Sequence, residues 1–182
     1  MTGRRIRTGL LALVCAALLL GGARSPGSPG APSGTVHAAP VLDAPTIAGK
    51  LIEANRTLSA QEARRIGEAV VRYSEKYRLD PSLVAAVLLV ESGARPWARS
   101  PKGALGLMQV MPHMFRPLGL VGNPSTIETN IEAGCIILAG NIQRLGEEDG
   151  ISAYFWGSQI RGVSYLNRVR AAREQVRREI RS

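Results

Sequence analysis

The stretch from residue 80 to residue 93 reads Asp80-Pro81-Ser82-Leu83-Val84-Ala85-Ala86-Val87-Leu88-Leu89-Val90-Glu91-Ser92-Gly93. Asp80 and Pro81 are typical of the N-cap and first residue of a helix. Gly93 is typical of the left-handed residue that ends one. Since the residues between these ends are almost all apolar, the pattern predicts a buried helix from Pro81 to Ser92.

Glu91 lies in the last turn of this predicted helix, directly after the apolar run. The helix dipole repels negative charge at that end, and burial also favours the neutral carboxylic acid. A carboxyl group that stays protonated near neutral pH can serve as a general acid. Position alone leaves the alternative open that Glu91 turns out to solvent at the helix end.

Further motifs follow Glu91 along the chain. After Glu91-Ser92-Gly93 come Gly106-Leu107-Met108-Gln109 and Pro112, then Asn130-Ile131-Glu132-Ala133-Gly134, Ala153-Tyr154, and Tyr165-Leu166-Asn167-Arg168-Val169. In this order and at this spacing they resemble the soluble lytic transglycosylase family, the lysozyme-like enzymes that cleave peptidoglycan glycan strands. The resemblance covers roughly residues 80–170.

The resemblance implies an all-α, lysozyme-like helical domain with a cleft and Glu91 as its catalytic residue. It further implies that Gln109 and Met108 belong to the cleft wall, that Tyr154 directs its phenol at Glu91, and that Tyr165 contacts substrate. Ser92 is expected to bond the Glu91 carboxyl or to cap the helix end. Met108 can also be core, and Tyr154 can instead donate to a backbone carbonyl. Trp97 and Trp156 could stack on sugar rings or lie in the core.

One position departs from the family pattern. The family has Asn after the tyrosine of its third motif, whereas Phe155 follows Tyr154 here. Phe155 cannot make the hydrogen bonds of an amide, so Ser158 or Gln159 would have to supply them. Phe155 either faces the cleft, where it would lower the local dielectric and raise the pKa of the catalytic acid, or packs into the core beside Tyr154.

The N-terminus is typical of a secretory signal. Arg4, Arg5 and Arg7 precede an apolar run, Leu10 to Leu20, that is followed by small residues. The run is short for a membrane span, which needs about 20 residues, although an uncleaved anchor is the alternative. We therefore expect a bacterial protein exported to the periplasm or cell envelope, with no stable membrane span after cleavage.

Charge and residue types restrict the partners. Without residues 1–39 the chain keeps 19 basic and 14 acidic residues, a net charge of +5. A basic protein suits an anionic partner such as the cell wall, and peptidoglycan strands are the expected one; no motif supports nucleic-acid binding. Cys135, the one cysteine after the leader, is expected in the core. His37 and His113 are the only histidines, so we expect no metal site and no cofactor, and a monomer.

The sequence divides into a signal peptide with leader remnant (residues 1–39), a linker (40–57) and the helical domain (58–182), and residues 24–48 are rich in Pro, Gly, Ser and Ala. Capping boxes at Ser59–Glu62 and Ser125–Glu128 predict helices to about Tyr77 and to Leu145. Shorter helices are predicted over 104–111 and 151–156. A last helix is predicted from Val163 to near Ile180, with a solvated basic face or a face for anionic wall polymers.

By resemblance, the expected reaction is cleavage of the bond between N-acetylmuramic acid (MurNAc) and N-acetylglucosamine (GlcNAc), leaving 1,6-anhydro-MurNAc. A single Glu91 would carry both proton transfers. Two alternatives stay open: a goose-type lysozyme-like hydrolase, which would need a second carboxylate such as Glu128, Glu132 or Asp149, and a non-catalytic peptidoglycan-binding module.

Overall fold

The computed structural model describes residues 42–178, which fold into α-helices. Within that range the β pairing consists of two isolated bridges, Arg99 with Leu105 and Leu105 with Val110. The predicted all-α class is therefore confirmed. In chain order the helices are α1 (Ala44–Ala54), α2 (Ala60–Tyr77), α3 (Pro81–Ser92), α4 (Pro112–Phe115), α5 (Ile127–Leu145), α6 (Glu147–Trp156) and α7 (Ser164–Arg178).

Helix α3 has the bounds that its sequence predicts, and it lies at the centre of the core. The Asp80 side chain caps its first turn, Pro81 opens it, and Gly93 ends it in the left-handed conformation at φ 59°. Its residues from 82 to 88 are buried all around the helix. Helices α1, α2 and α7 pack against α3, which explains why it carries no polar face.

The predicted linker over residues 40–57 is wrong for residues 44–54, which form α1. Asp43 caps this helix, and Ile47 and Leu51 are fully buried. Gly67 of α2 permits the close approach, because a Cβ atom there would lie 2.4 Å from the Ala44 carbonyl oxygen. Tertiary burial thus makes a helix out of a segment that follows a stretch rich in Pro and Gly.

The predicted helix over 104–111 is also wrong. The backbone there turns through positive φ at Gly103, Gly106 and Gln109, and Leu105 pairs with Val110. Leu107 and Met108 are fully buried, so the apolar spacing that predicted a helix instead reflects residues drawn into the core from a compact loop.

Helices α2 and α5 are confirmed, but only one of the two predicted capping boxes forms. Ser59 and Glu62 make both bonds of the box at the start of α2. At α5 the Thr126 N-cap makes no side-chain cap bond. Glu128 instead accepts three hydrogen bonds from Arg65 of α2, on both carboxylate oxygens, at 2.9–3.0 Å. Helix α6 begins at Glu147, four residues earlier than predicted.

Helix α7 is confirmed, with a buried stripe at Leu166, Val169, Ala172 and Val176. Its arginines do not all form a solvated face. Arg173 donates to Asp80 at 2.9 Å and to Glu147 at 2.7 Å, and Arg177 also bonds Asp80. These contacts tie the C-terminal half of α7 to the start of α3.

Asp80 supports a stability prediction. Partial burial acts to raise its pKa, but hydrogen bonds from Ser82 and Arg173 outweigh burial and hold the pKa well below its usual range. Because the folded-state pKa is depressed, this stabilisation is present above the unfolded pKa of about 4 and is lost as pH falls below it.

We expect Asp80→Ala to lower the free energy of unfolding by about 1–2 kcal/mol at pH 7, through loss of the helix cap and the two arginine contacts. The difference from the unmutated protein should shrink below pH 4. Urea denaturation at pH 7 and pH 3 measures it, with the exposed Glu68→Ala as matched control. Equal losses at both pH values would contradict the ionic part of this explanation.

Three predictions fall outside the described residues: the signal peptide over 1–39, its cleavage, and the end of the last helix near Ile180. In the part of the chain that the structure describes, no helix is both long and apolar enough to cross a bilayer.

Candidate active site

A cleft of about 900 Å³ opens beside the C-terminal end of α3. One part of its lining comes from α6 and the loop after it, and another from the loop that ends at Met111. Glu91 lies in this lining, together with Gln109, Tyr154, Phe155 and Trp156. The cleft thus brings residues of three of the five sequence motifs to within reach of one bound molecule.

Glu91 reaches the cleft with its carboxyl group partly buried. The Tyr165 hydroxyl, from the first turn of α7, donates to Glu91 Oε1 at 2.6 Å. Burial raises the pKa of Glu91 above its ordinary value, while the hydrogen bond from Tyr165 and the positive charge of Arg168 act against that rise. The net effect favours the protonated acid. Because Tyr165 binds the carboxyl group on the cleft wall, the structure does not support the alternative in which Glu91 turns out to solvent.

Tyr165 is held from several sides. Its side chain is only 1% exposed, and Phe155 stacks on its ring with centroids 5.0 Å apart and planes 15° from parallel. The Arg168 guanidinium lies 5.5 Å from the centre of the same ring. Burial raises the pKa of Tyr165 above its ordinary value near 10, so its hydroxyl stays a hydrogen-bond donor at neutral pH.

Two expected contacts to Glu91 are not made. The Tyr154 hydroxyl donates to the Met108 carbonyl oxygen at 2.8 Å, so Tyr165 takes the position expected of Tyr154. Ser92 is buried, and its hydroxyl donates to the Leu88 carbonyl one turn earlier at 3.1 Å. Tyr154 thus fixes the loop that carries Gln109, and Ser92 belongs to the helix end.

Gln109 lines the cleft, whereas Met108 does not. The Gln109 amide nitrogen donates to the carbonyl oxygens of Gly106 at 2.9 Å and Ala98 at 3.3 Å. Its amide oxygen has no hydrogen bond among the described residues and is available to a ligand. Met108 is fully buried, and it packs so closely on Gly134 of α5 that a Cβ atom at Gly134 would lie 2.6 Å from it.

Asn130 is a residue of the site that the sequence reasoning missed. It is 1% exposed, accepts from the Met108 backbone N–H at 2.8 Å, and donates to the carbonyl oxygens of Leu105 at 2.9 Å and Pro124 at 3.1 Å. It therefore satisfies three backbone groups and fixes the loop that precedes Gln109. Its place in the motif with Gly134 could have indicated a role in the site. However, an Asn near the start of a helix is equally typical of a helix cap.

Phe155 faces the cleft with half of its surface exposed, so the core alternative for this residue is wrong. Ser158 and Gln159, the possible sources of the missing polar contact, also line the cleft. Trp156 contacts Phe155 edge-on, with centroids 4.9 Å apart. Trp97 is 70% exposed and lines a separate cavity of about 280 Å³.

The charges around the cleft are unbalanced. Among the described residues that line it, Glu91 is the only one with a carboxyl group, while Lys102 and Arg161 are cationic. Within residues 42–178 no cluster of three or more metal-ligating side chains is present. Glu91 thus gives the cleft a carboxyl group that can transfer a proton, with hydrogen-bonding groups and two cations beside it.

The hydrogen bond from Tyr165 is expected to hold the Glu91 pKa down. Tyr165→Phe removes it, so the Glu91 pKa should rise further above its ordinary value. A ¹³C NMR titration of the Glu91 carboxyl carbon measures the shift. Tyr77→Phe is the matched control, because Tyr77 donates to Glu132 at 2.8 Å outside the cleft lining. An unchanged Glu91 titration in Tyr165→Phe would show that this hydrogen bond does not lower the Glu91 pKa.

Comparison with known proteins places these residues in context. The sequence model of the transglycosylase SLT domain matches residues 68–172, a range that holds Glu91, Gln109, Asn130, Tyr154 and Tyr165. A transglycosylase of Enterobacteria phage PRD1 is 39% identical over 92 residues, which cover 50% of this chain and 34% of that protein. Membrane-bound lytic murein transglycosylase C of Edwardsiella ictaluri is 39% identical over 89 residues, 43% of this chain and 25% of that protein.

Among solved structures, the 70 kDa soluble lytic transglycosylase from Escherichia coli is similar at a TM-score of 0.49 with 22% sequence identity. The similarity covers 73% of this chain and 26% of that one. The chain thus spans about a third or less of each of these proteins.

Proposed function

The chain belongs to the transglycosylase SLT domain family, and from that premise we propose that it is a peptidoglycan lytic transglycosylase. Its reaction is cleavage of the MurNAc–GlcNAc glycosidic bond with formation of 1,6-anhydro-MurNAc. The observation that carries the proposal is Glu91: a partly buried carboxyl group of raised pKa, hydrogen-bonded by Tyr165, on the wall of a cleft.

In the first step Glu91 acts as general acid. The protonated carboxyl group donates its proton to the glycosidic oxygen as the bond from that oxygen to C1 of MurNAc breaks. The acetamido group of the same sugar stabilises the positive charge that develops at C1, in place of a second enzyme carboxylate. Tyr165 bonds the carboxylate that Glu91 becomes, and so limits the cost of leaving a charge in a partly buried place.

In the second step Glu91 acts as general base. The C6 hydroxyl of the MurNAc attacks C1 and gives its proton to the Glu91 carboxylate, which closes the anhydro ring and restores the starting acid. No water is consumed. The Gln109 amide oxygen, in the cleft lining, can accept a hydrogen bond from the sugar.

A hydrolase of the goose-type lysozyme kind fits the charges less well. Such an enzyme needs a carboxylate to activate water. Glu128 is paired with Arg65, and Glu132 with Lys76 and Tyr77, on the contact between α2 and α5. Asp149 is exposed in the first turn of α6, and none of the three lines the cleft.

A non-catalytic peptidoglycan-binding module would need the cleft but not its carboxyl group. The raised pKa of Glu91 and the buried hydroxyl aimed at it would then serve no purpose, and a buried ionisable group costs stability. The arrangement therefore favours an enzyme over a binding module.

Incubation of the purified protein with bacterial sacculi tests the proposal. Mass spectrometry of the released muropeptides should find 1,6-anhydro ends. Reducing MurNAc ends would support the hydrolase, and the absence of soluble products would support the binding module.

We place the enzyme in the bacterial cell envelope, exported by the basic and apolar leader of residues 1–39. Its partners are peptidoglycan glycan strands, no nucleic acid is involved, and it acts as a monomer. N-terminal sequencing of protein recovered from the envelope should give a start between Arg24 and Pro40, and an intact Met1 would favour an uncleaved anchor instead.

A further inference from the structure

We propose that Phe155 is a positioning residue: its ring holds the Tyr165 ring in place and keeps cleft water away from the hydrogen bond between Tyr165 and Glu91. The inference rests on the proposed function and adds to it a role for the residue at which this chain departs from the family pattern. Phe155 acts on Glu91 through Tyr165, without a contact of its own to the reacting atoms.

The stacking geometry is the first support. The Phe155 and Tyr165 rings are nearly parallel, 15° apart, with centroids at 5.0 Å, which is within the favourable range for offset stacking. Tyr165 is 1% exposed although its neighbour Phe155 is 51% exposed and lines the cleft. One face of the Phe155 ring therefore covers Tyr165, and the remainder of the side chain meets the cleft.

A second support is that Phe155 has two further neighbours, Trp156 and Arg168. The Trp156 ring meets it edge-on at 4.9 Å and 87°. The Arg168 guanidinium lies 5.9 Å from the Phe155 centroid and 5.5 Å from that of Tyr165, so one cation spans both rings. Because these contacts restrict the Phe155 ring, that ring can in turn hold the Tyr165 ring in one position. A freely rotating surface side chain could not do so.

The asparagine of the family pattern would have a different effect on Tyr165 than the phenylalanine of this chain. An amide at position 155 could make hydrogen bonds in the cleft but would leave the face of the Tyr165 ring without its aromatic cover. Phe155 thus exchanges a polar contact for a drier environment around Tyr165 and Glu91. Since burial is the main cause of the raised Glu91 pKa, the exchange affects proton transfer directly.

Several other titratable groups lie near Glu91 and influence its pKa or the charge of the cleft. Tyr165 and Arg168 of α7 lower its pKa, and Tyr154 of α6 is close enough to interact with its charge. Lys102 and Arg161 line the same cleft from two loops. Phe155 contacts both Tyr165 and Arg168, so its removal acts on the Glu91 pKa in two opposite directions: looser placement of these two groups raises it, and entry of water lowers it. Because burial is the largest influence on the Glu91 pKa, we expect the effect of water entry to be the larger one.

The test compares Phe155→Ala, Phe155→Asn and Phe155→Tyr in the full chain. With sacculi as substrate, we expect kcat to fall about tenfold in the Ala and Asn variants and to stay within about twofold in the Tyr variant, which keeps the stacked ring. The alkaline limb of the pH–rate profile should move to lower pH in Ala and Asn. This follows because activity needs protonated Glu91 and water entry lowers its pKa.

A second readout does not depend on catalysis. In the free protein, the ¹³C titration of Glu91, assigned by its absence in Glu91→Gln, should shift to lower pH in Phe155→Ala, opposite to the shift expected for Tyr165→Phe. If sacculi are not cleaved by any variant, the proposed function fails while this titration still decides the role of Phe155. Val121→Ala, at a 95% exposed apolar side chain outside the cleft lining, is the control.

Three outcomes would overturn the inference. The first is an unchanged or raised Glu91 pKa in Phe155→Ala. The second is a higher KM with unchanged kcat in Phe155→Ala, together with a lower KM in Phe155→Asn. This result would make Phe155 a substrate contact. The third is a fall in activity that follows the melting temperature alone across all three variants.

Discussion

Glu91→Gln is expected to reduce cleavage of sacculi at least about 1000-fold, because one carboxyl group is asked to supply both proton transfers and an amide can supply neither. The replacement keeps the size of the side chain, and its carbonyl oxygen can still accept the hydrogen bond from Tyr165. Release of soluble muropeptides over time measures the effect. Turnover above a few per cent of the unmutated rate would contradict the assignment of Glu91.

The same variant should show no loss of stability. A carboxyl group whose folded-state pKa is raised destabilises the fold at pH values above that pKa and has no such effect below its unfolded pKa. Glu91→Gln should therefore melt at the same or a slightly higher temperature than the unmutated protein at pH 8, with the difference disappearing near pH 4. Sedimentation with sacculi should show unchanged binding, which separates loss of chemistry from loss of the fold.

Asn130→Ala is expected to lower the free energy of unfolding by about 2–4 kcal/mol. The substitution leaves the Met108 N–H and the carbonyl oxygens of Leu105 and Pro124 without their partner in a buried place, and each unpaired group costs about 1 kcal/mol or more. Activity should fall as well, since the loop that Asn130 fixes carries Gln109 into the cleft. Urea denaturation and turnover of sacculi measure the two effects.

Asn167→Ala is the matched control, because Asn167 is exposed and should change stability by less than about 0.5 kcal/mol. Asn130→Asp adds a sharper comparison: it keeps the acceptor for Met108 but loses both donated bonds and adds a buried charge. It should be no more stable than Asn130→Ala at pH 7. A loss below about 0.5 kcal/mol in Asn130→Ala would show that the loop holds without this side chain.

The helices that the sequence predicts well are those with local signals at both ends. Asp80, Pro81 and Gly93 define α3, and the box of Ser59 and Glu62 opens α2, because each of these residues acts on the backbone within one turn. The second box fails for a reason that no local pattern contains. Glu128, the residue meant to complete it, lies next to Arg65 only after α2 and α5 have packed.

The two wrong predictions of secondary structure share a cause. Helix α1 depends on burial of Ile47 and Leu51 against the rest of the domain, and the loop over 104–111 depends on Asn130 from twenty-odd residues away. Gly106 shows how close that contact is, since a Cβ atom there would lie 2.6 Å from the Asn130 side chain. Periodicity reports which residues are buried, but not which backbone shape buries them.

In the candidate site, too, the sequence predicts which residues are present but not which of them come into contact. Glu91, Gln109, Tyr154 and Tyr165 were all predicted from motifs, and all but Tyr165 line the cleft, with Tyr165 directly behind Glu91. The assignment of the two tyrosines was wrong, because which hydroxyl reaches Glu91 depends on how α6 and α7 pack at the end of α3. For the same reason the sequence could name the departure at Phe155 but could not place its ring on Tyr165.

Digestion of sacculi in H₂¹⁸O, with mass spectrometry of the muropeptides, tests the central claim most directly. If Glu91 passes its proton to the glycosidic oxygen and recovers one from the C6 hydroxyl, the new MurNAc ends are 1,6-anhydro and carry no ¹⁸O, and Glu91→Gln forms none of them. Reducing MurNAc ends that carry ¹⁸O at C1 would show attack by water and contradict the account, as would anhydro ends formed equally well by Glu91→Gln.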